Sequence, residues 1–193
     1  MAKENKRRIG KSKSSNNTTL ILLVFALIIC LIYIFFPSGG SNETVVNGFI
    51  IKSTQSGEKI KLELKDGTTV YLNQRSMIKY PEQFGSTSRR VFLEGEAYFD
   101  VKHDKQKPFG VDFEHGAVDV LGTSFNVKAY EGDLHSTVIV TSGLVKFSSK
   151  SNPKKTRLSK SQKGILNHNS RRISSSNVSN YNPLAWKDDI YPN

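Results

Sequence analysis

Seventeen consecutive residues, Leu20 to Phe36 (LILLVFALIICLIYIFF), carry no charge, glycine or proline. Such a run must be hidden from water, either in a bilayer or in a helical core, and this constrains the chain more than any other feature. At about 1.5 Å per residue it makes a helix of roughly 25 Å. Thr18 and Thr19 bring it to about 28 Å, close to a hydrocarbon core of ~30 Å. A cleaved secretion signal fits less well, because its apolar core usually holds about 7 to 15 residues before a small-residue cleavage site. Here the run ends in Phe35, Phe36 and Pro37, followed only by Ser38, Gly39 and Gly40. A buried helix of a soluble domain needs a helical partner, and the rest of the sequence offers none. The expectation is one uncleaved transmembrane helix over 20–36.

Charge orients it. Residues 1–19 hold six basic residues and Glu4, for a net +5, whereas Lys52 is the first basic residue after the run. Positively charged flanks stay in the cytoplasm, so the N-terminus is expected inside and residues 37 onward outside. Residues 37–133 are nearly balanced at −2, and residues 134–193 carry +8. The single cysteine, Cys30, lies in the apolar run, which excludes an intrachain disulfide framework and a cysteine-held zinc site.

Beyond a linker over 37–44 the period changes from helix to strand. Ile60, Leu62 and Leu64 alternate with Lys61, Glu63 and Lys65, and Asp66-Gly67 marks a tight turn before Thr69 to Leu72. The same pattern recurs at Val91–Leu93, Ala97–Val101, Phe109–Phe113, Val118–Leu121, Phe125–Tyr130, Val138–Thr141 and Leu144–Phe147. Turn signals stand between them at Gly95, His115-Gly116, Gly122, Gly132-Asp133 and Ser142-Gly143. No stretch from 43 to 172 keeps helical apolar spacing. The domain over 45–172 is therefore expected to be all-β, a short-strand sandwich or solenoid-like stack, with a tail over 173–193. Its aromatics, among them Tyr71, Phe92, Tyr98, Phe99, Phe125 and Phe147, are expected to fill the core.

Signals for chemistry are weak. His103, His115, His135 and His168 stand 12, 20 and 33 residues apart, without the close spacing of metal ligands. Glu94 and Glu96 flank Gly95 as solvated residues of a strand end rather than as an acid/base pair. Gly122-Thr123-Ser124-Phe125-Asn126 departs from a nucleophile elbow, and no phosphate- or dinucleotide-binding fingerprint occurs. No catalytic residue, metal or cofactor is expected. From Lys146 to Arg172 there are nine Lys or Arg and no acid. Nucleic acid is the usual partner of such a run, but the expected topology places it outside the cytoplasm. Anionic head groups or an acidic protein remain as partners, beside the plainer reading of a solvated, partly disordered tail. Lys154, Lys155, Arg157 and Lys160, with Trp186 further on, are the candidate partner-binding residues.

Several motifs in fixed order are more specific. Leu64-Lys65-Asp66-Gly67-Thr68-Thr69-Val70-Tyr71-Leu72-Asn73 comes first, then Lys79-Tyr80-Pro81 and Arg89-Arg90-Val91-Phe92-Leu93-Glu94-Gly95-Glu96-Ala97-Tyr98-Phe99-Asp100-Val101. Pro108-Phe109 and Val120-Leu121-Gly122-Thr123-Ser124-Phe125-Asn126-Val127-Lys128-Ala129-Tyr130 follow. With Val138-Ile139-Val140, Gly143, Leu158 and Ala185-Trp186-Lys187-Asp188, they resemble the FecR domain over roughly 45–188. This is the periplasmic module of single-pass sigma-factor regulators of Gram-negative bacteria. The Lys, Asn and Ser content is similar to that of the Bacteroidota branch.

The resemblance implies that a TonB-dependent outer-membrane transporter contacts the periplasmic part and that the cytoplasmic part controls an extracytoplasmic-function sigma factor. It implies no catalytic residue. Family members usually carry a longer cytoplasmic sigma-binding domain and a C-terminal short domain, whereas 19 residues precede the helix here and the chain stops at Asn193. The expectation is a short inner-membrane signalling component whose sigma-regulator activity is incomplete in this chain alone, working with a full-length FecR-type protein, a sigma factor or a transporter. The alternative is a membrane-tethered binding or structural module, or a truncated fragment, without a regulatory role.

Overall fold

A computed structural model describes residues 42–178 and 185–188 of the chain. The expected basic tail 1–19 and apolar helix 20–36 lie outside the described residues. No helix among the described residues is long and apolar enough to cross a membrane.

Fourteen strands and one helical turn make up the described unit. They are β1 Asn42–Val46, β2 Phe49–Ser53, β3 Ile60–Glu63, β4 Thr69–Leu72, β5 Met77–Pro81, β6 Arg89–Asp100 and β7 Phe109–Asp112. After them come β8 Gly116–Val120, β9 Ser124–Ala129, β10 His135–Ser142, β11 Leu144–Ser149, β12 Asn152–Ser159, β13 Gln162–Asn167 and β14 Ile173–Asn177, then α1 Ala185–Asp188. Sheet A runs β1-β2-β5-β6-β7-β8-β11-β12. Sheet B runs β3-β4-β6-β9-β10-β13-β14. The all-β expectation holds, in the form of two facing layers joined through one strand like the walls of an incomplete barrel.

That strand is β6, and here the sequence reading is corrected. Gly95 does not divide Val91–Leu93 from Ala97–Val101 with a turn; it lies inside a single strand of 12 residues. The N-terminal half of β6 pairs with β5 and β7 in sheet A, and the C-terminal half with β4 and β9 in sheet B. Arg89, Val91, Leu93, Ala97 and Phe99 are all buried, so the same side of the strand faces the core along its whole length. The strand bends at Gly95, whose φ of +99° suits only glycine. A Cβ there would also stand 2.7 Å from the Ser76 Cα.

Every pairing is antiparallel except β6 with β7. A parallel pair ordinarily needs a crossover of a dozen or more residues. The second half of β6, in the other sheet, together with the loop over 101–108, serves as that crossover without a helix.

Phe99 of sheet B stacks on Phe125 with ring centroids 5.3 Å apart, and meets Phe109 of sheet A at 6.1 Å. Phe113 and Phe147, also 6.1 Å apart, extend this core. Gly164 of β13 makes room for it, since a Cβ there would lie 2.9 Å from Phe147 and 2.7 Å from Leu158. Tyr71, Phe92 and Tyr130 are only half-buried and lie outside this core. The tight turn is as expected: Gly67 has φ +81°, and Asp66 Oδ1 accepts from the Thr68 N–H at 3.1 Å. Asp66 also pairs at 2.8 Å with Arg89, which is 2% exposed and lies over the Phe109 ring. The sheets extend beyond 45–172 at both ends, through β1 and β14.

Candidate functional site

The basic stretch from Lys146 to Arg172 forms β11, β12, β13 and the turns between them, so it is part of the fold. In β11 and β12, Val145, Phe147 and Leu158 point into the core. By alternation Lys146, Lys155 and Arg157 point outward, and all three are exposed. Lys146 pairs across the ladder with Arg157, and Ser148 with Lys155. Lys160 is exposed in the turn between β12 and β13. Lys154 belongs to β12, but its side chain lies outside the described residues.

β12 and β14 are edge strands of the two sheets, and a cavity of about 660 Å³ opens between them, lined by Lys155, Thr156, Arg171, Arg172, Ile173 and Ser175 among others. The structure therefore gathers Lys155 with Arg171 and Arg172, which sequence reasoning had counted only as part of a charge run.

Trp186 is not part of this group. Its carbonyl accepts a hydrogen bond from Lys59 Nζ at 2.8 Å, beside β3 at the opposite end of sheet B. Its indole Nε1 is buried and has no hydrogen-bond partner among the described residues.

Glu94 is exposed, whereas the Glu96 carboxylate accepts from Asn73 Nδ2 and from Asn126 Nδ2, each at 2.9 Å. Glu96 thus ties β6 to Asn73, just past β4, and to β9; both glutamates lie inside β6 rather than at a strand end, and only Glu94 is solvated. Histidines distant in sequence meet in space. The His115 and His168 rings are 4.0 Å apart, and Ser136 Oγ lies 2.8 Å from His168 Nε2. Burial, then the neighbouring His115, holds the His168 pKa below the ordinary histidine value. Among the described residues no group of three His, Cys, Asp or Glu has the geometry to hold a metal ion.

The geometry defines an all-β scaffold whose distinctive surface is cationic and open at the sheet edges. Residues 52–146 match the sequence model of the family described as FecR protein, and the domain over those residues belongs to that family. The family is regulatory rather than enzymatic. Two crystal structures of a "putative anti-sigma factor" from Parabacteroides distasonis ATCC 8503 are similar to the chain. Their TM-scores are 0.68 and 0.67 at 36% and 37% identity, each over 72% of this chain. The chain spans just under two thirds of their length, 65% and 64%. No curated protein sequence matches it.

Proposed function

We propose that the chain is a membrane-anchored signalling component of the FecR type, which regulates an extracytoplasmic-function sigma factor in response to a TonB-dependent transporter. The likeness to the anti-sigma factor structures carries this reading, because it extends well past the 52–146 match to 72% of the chain. The apolar run 20–36 with its basic flank supports a single-pass inner-membrane anchor, N-terminus in the cytoplasm and β domain in the periplasm. The cations of β12 and the following turn, Lys154, Lys155, Arg157 and Lys160, are its proposed contact with an acidic protein or with anionic head groups. Trp186, half-buried as a whole, is a second proposed contact.

Two measurements test this. Deleting the gene in its host and profiling transcripts should shift a defined set of transporter genes, restored by the wild-type chain; an unchanged profile under all growth conditions contradicts the regulatory role. Protease added to spheroplasts should digest the β domain and spare the N-terminal tail. Recovery of a soluble periplasmic product beginning near Ser41 contradicts the anchor.

A further inference from the structure

The outer face of sheet A carries two apolar clefts on either side of one arginine. Arg90 donates from Nη2 to Asp112 Oδ1 at 2.6 Å and from Nη1 to Asp119 Oδ1 at 3.0 Å. Gly110 leaves room for it, since a Cβ there would stand 2.7 Å from the guanidinium carbon. The hydrogen bonds to Asp112 hold the guanidinium more firmly protonated than an ordinary arginine. Arg90 is thus a fixed wall whose charge is already matched.

The first cleft, about 530 Å³, has Pro108, Leu121 and Leu144 as its apolar lining and Lys146 and Lys155 on its rim. Leu121 is 43% and Leu144 49% exposed, unusual for leucines of a sheet face. Both are held in place: Thr123 Oγ1 donates to the Leu144 carbonyl at 3.0 Å and accepts from its N–H at 3.3 Å. Gly122 packs so closely on His103 that a Cβ would lie 2.6 Å from the His103 Cα. The second cleft, about 470 Å³, shares Arg90 and is lined by Phe49, Met77 and Phe92.

Charge varies along this face. Lys146 and Lys155 line the first cleft, with Arg157 opposite Lys146 on the ladder, and Asp119 is already held by Arg90. Beyond Phe92 the surface turns acidic, with Glu94, Glu114 and Glu131 around Lys150. We propose that this face docks an extended protein segment with two large apolar side chains, one for each cleft, and with acidic residues over the first. A rigid apolar floor with a charged rim is the anatomy of a docking surface, in which burial supplies affinity and charge supplies selectivity. The proposal goes beyond the sigma-regulator reading and rests on the surface alone.

The probe is a fluorescein-labelled peptide of Asp and Glu carrying two leucines, made with several leucine separations and titrated into the full chain in phosphatidylcholine nanodiscs. Saturable binding weakened by salt is expected. Leu121→Ser with Leu144→Ser should weaken it at least about tenfold. Lys146→Gln with Lys155→Gln should weaken it several-fold and flatten its salt dependence, and Phe49→Ser should weaken it without doing so. The leucines are exposed, so the double variant should keep the wild-type circular dichroism spectrum. The proposal is overturned by equal binding of a Lys peptide or of a peptide with Ser for Leu. Absence of saturable binding up to about 1 mM overturns it too. So does a finding that these substitutions change only adhesion to phosphatidylglycerol vesicles, or only self-association.

Discussion

The outer faces of the two sheets share β6 but use their side chains in opposite ways. On sheet B the polar groups close on one another. Asn73 and Asn126 grip Glu96, Tyr98 meets Thr141 at 3.0 Å, Ser124 donates to Asp100, and Tyr130 donates to the Gln74 carbonyl. On sheet A, Arg90 forms a cluster with Asp112 and Asp119, while Leu121, Leu144 and Phe49 stand exposed around it. A face whose polar groups pair with one another, here with the buried Asn126 Oδ1 as an exception, fixes strand register and leaves little for a partner to satisfy. A face with exposed apolar side chains contributes less to folding and retains its capacity for contact.

The comparison breaks first at the shared strand. Gly95→Ala should destabilise the domain by about 3 kcal/mol, because φ is left-handed and Ser76 occupies the space, and both faces should unfold together. Separate melting of two portions by hydrogen exchange would show that β6 does not join them. Next in size, Glu96→Ala leaves the amides of Asn73 and Asn126 without their acceptor and should lower unfolding free energy by about 2 kcal/mol in urea titrations. A loss below about 0.5 kcal/mol would mean that the sheet B network is dispensable.

A pH titration comes third. His168 has a folded pKa below its unfolded value, so the unfolded chain binds protons more readily. Stability should be full above about pH 6.5 and fall as pH drops through that value, levelling below the folded pKa. His115, His135, Glu114 and Asp133 share the site, with a backbone hydrogen bond to Asp133 and the Glu114 charge offsetting part of the effect. His168→Asn should flatten this slope, and an unchanged slope would assign it elsewhere. Smallest is the effect of Leu121→Ser with Leu144→Ser, within about 0.5 kcal/mol, since both side chains are already exposed.

Local signals were legible in the sequence. The Asp66-Gly67 turn and the strands around Phe125 and Val138 appear where turn chemistry and alternation place them. Gly95 misled because a glycine between two apolar runs reads as a break, whereas its φ here bends a strand that continues in a second sheet. β12 and β13 were hidden because their core sides hold little beyond Leu158, Gly164 and Leu166 among Lys and Ser, and Gly164 of β13 packs on Phe147 and Leu158 of the other sheet. The first cleft left a usable trace: Val145 and Phe147 face inward, so parity alone sends Leu144 out. The approach of His115 to His168, 53 residues along the chain, left none.

Hydrogen exchange on the full chain, with and without the acidic leucine peptide, tests the contrast between the two faces most directly. Slowed exchange confined to the elements around the two clefts, β8, β11, β12 and the segment around Leu121 for the first and β2, β5 and the N-terminal half of β6 for the second, is the predicted result. Slowing centred on β9, β10 and β13 would contradict the account, because it would place the contact surface on the face whose polar groups mostly pair with one another.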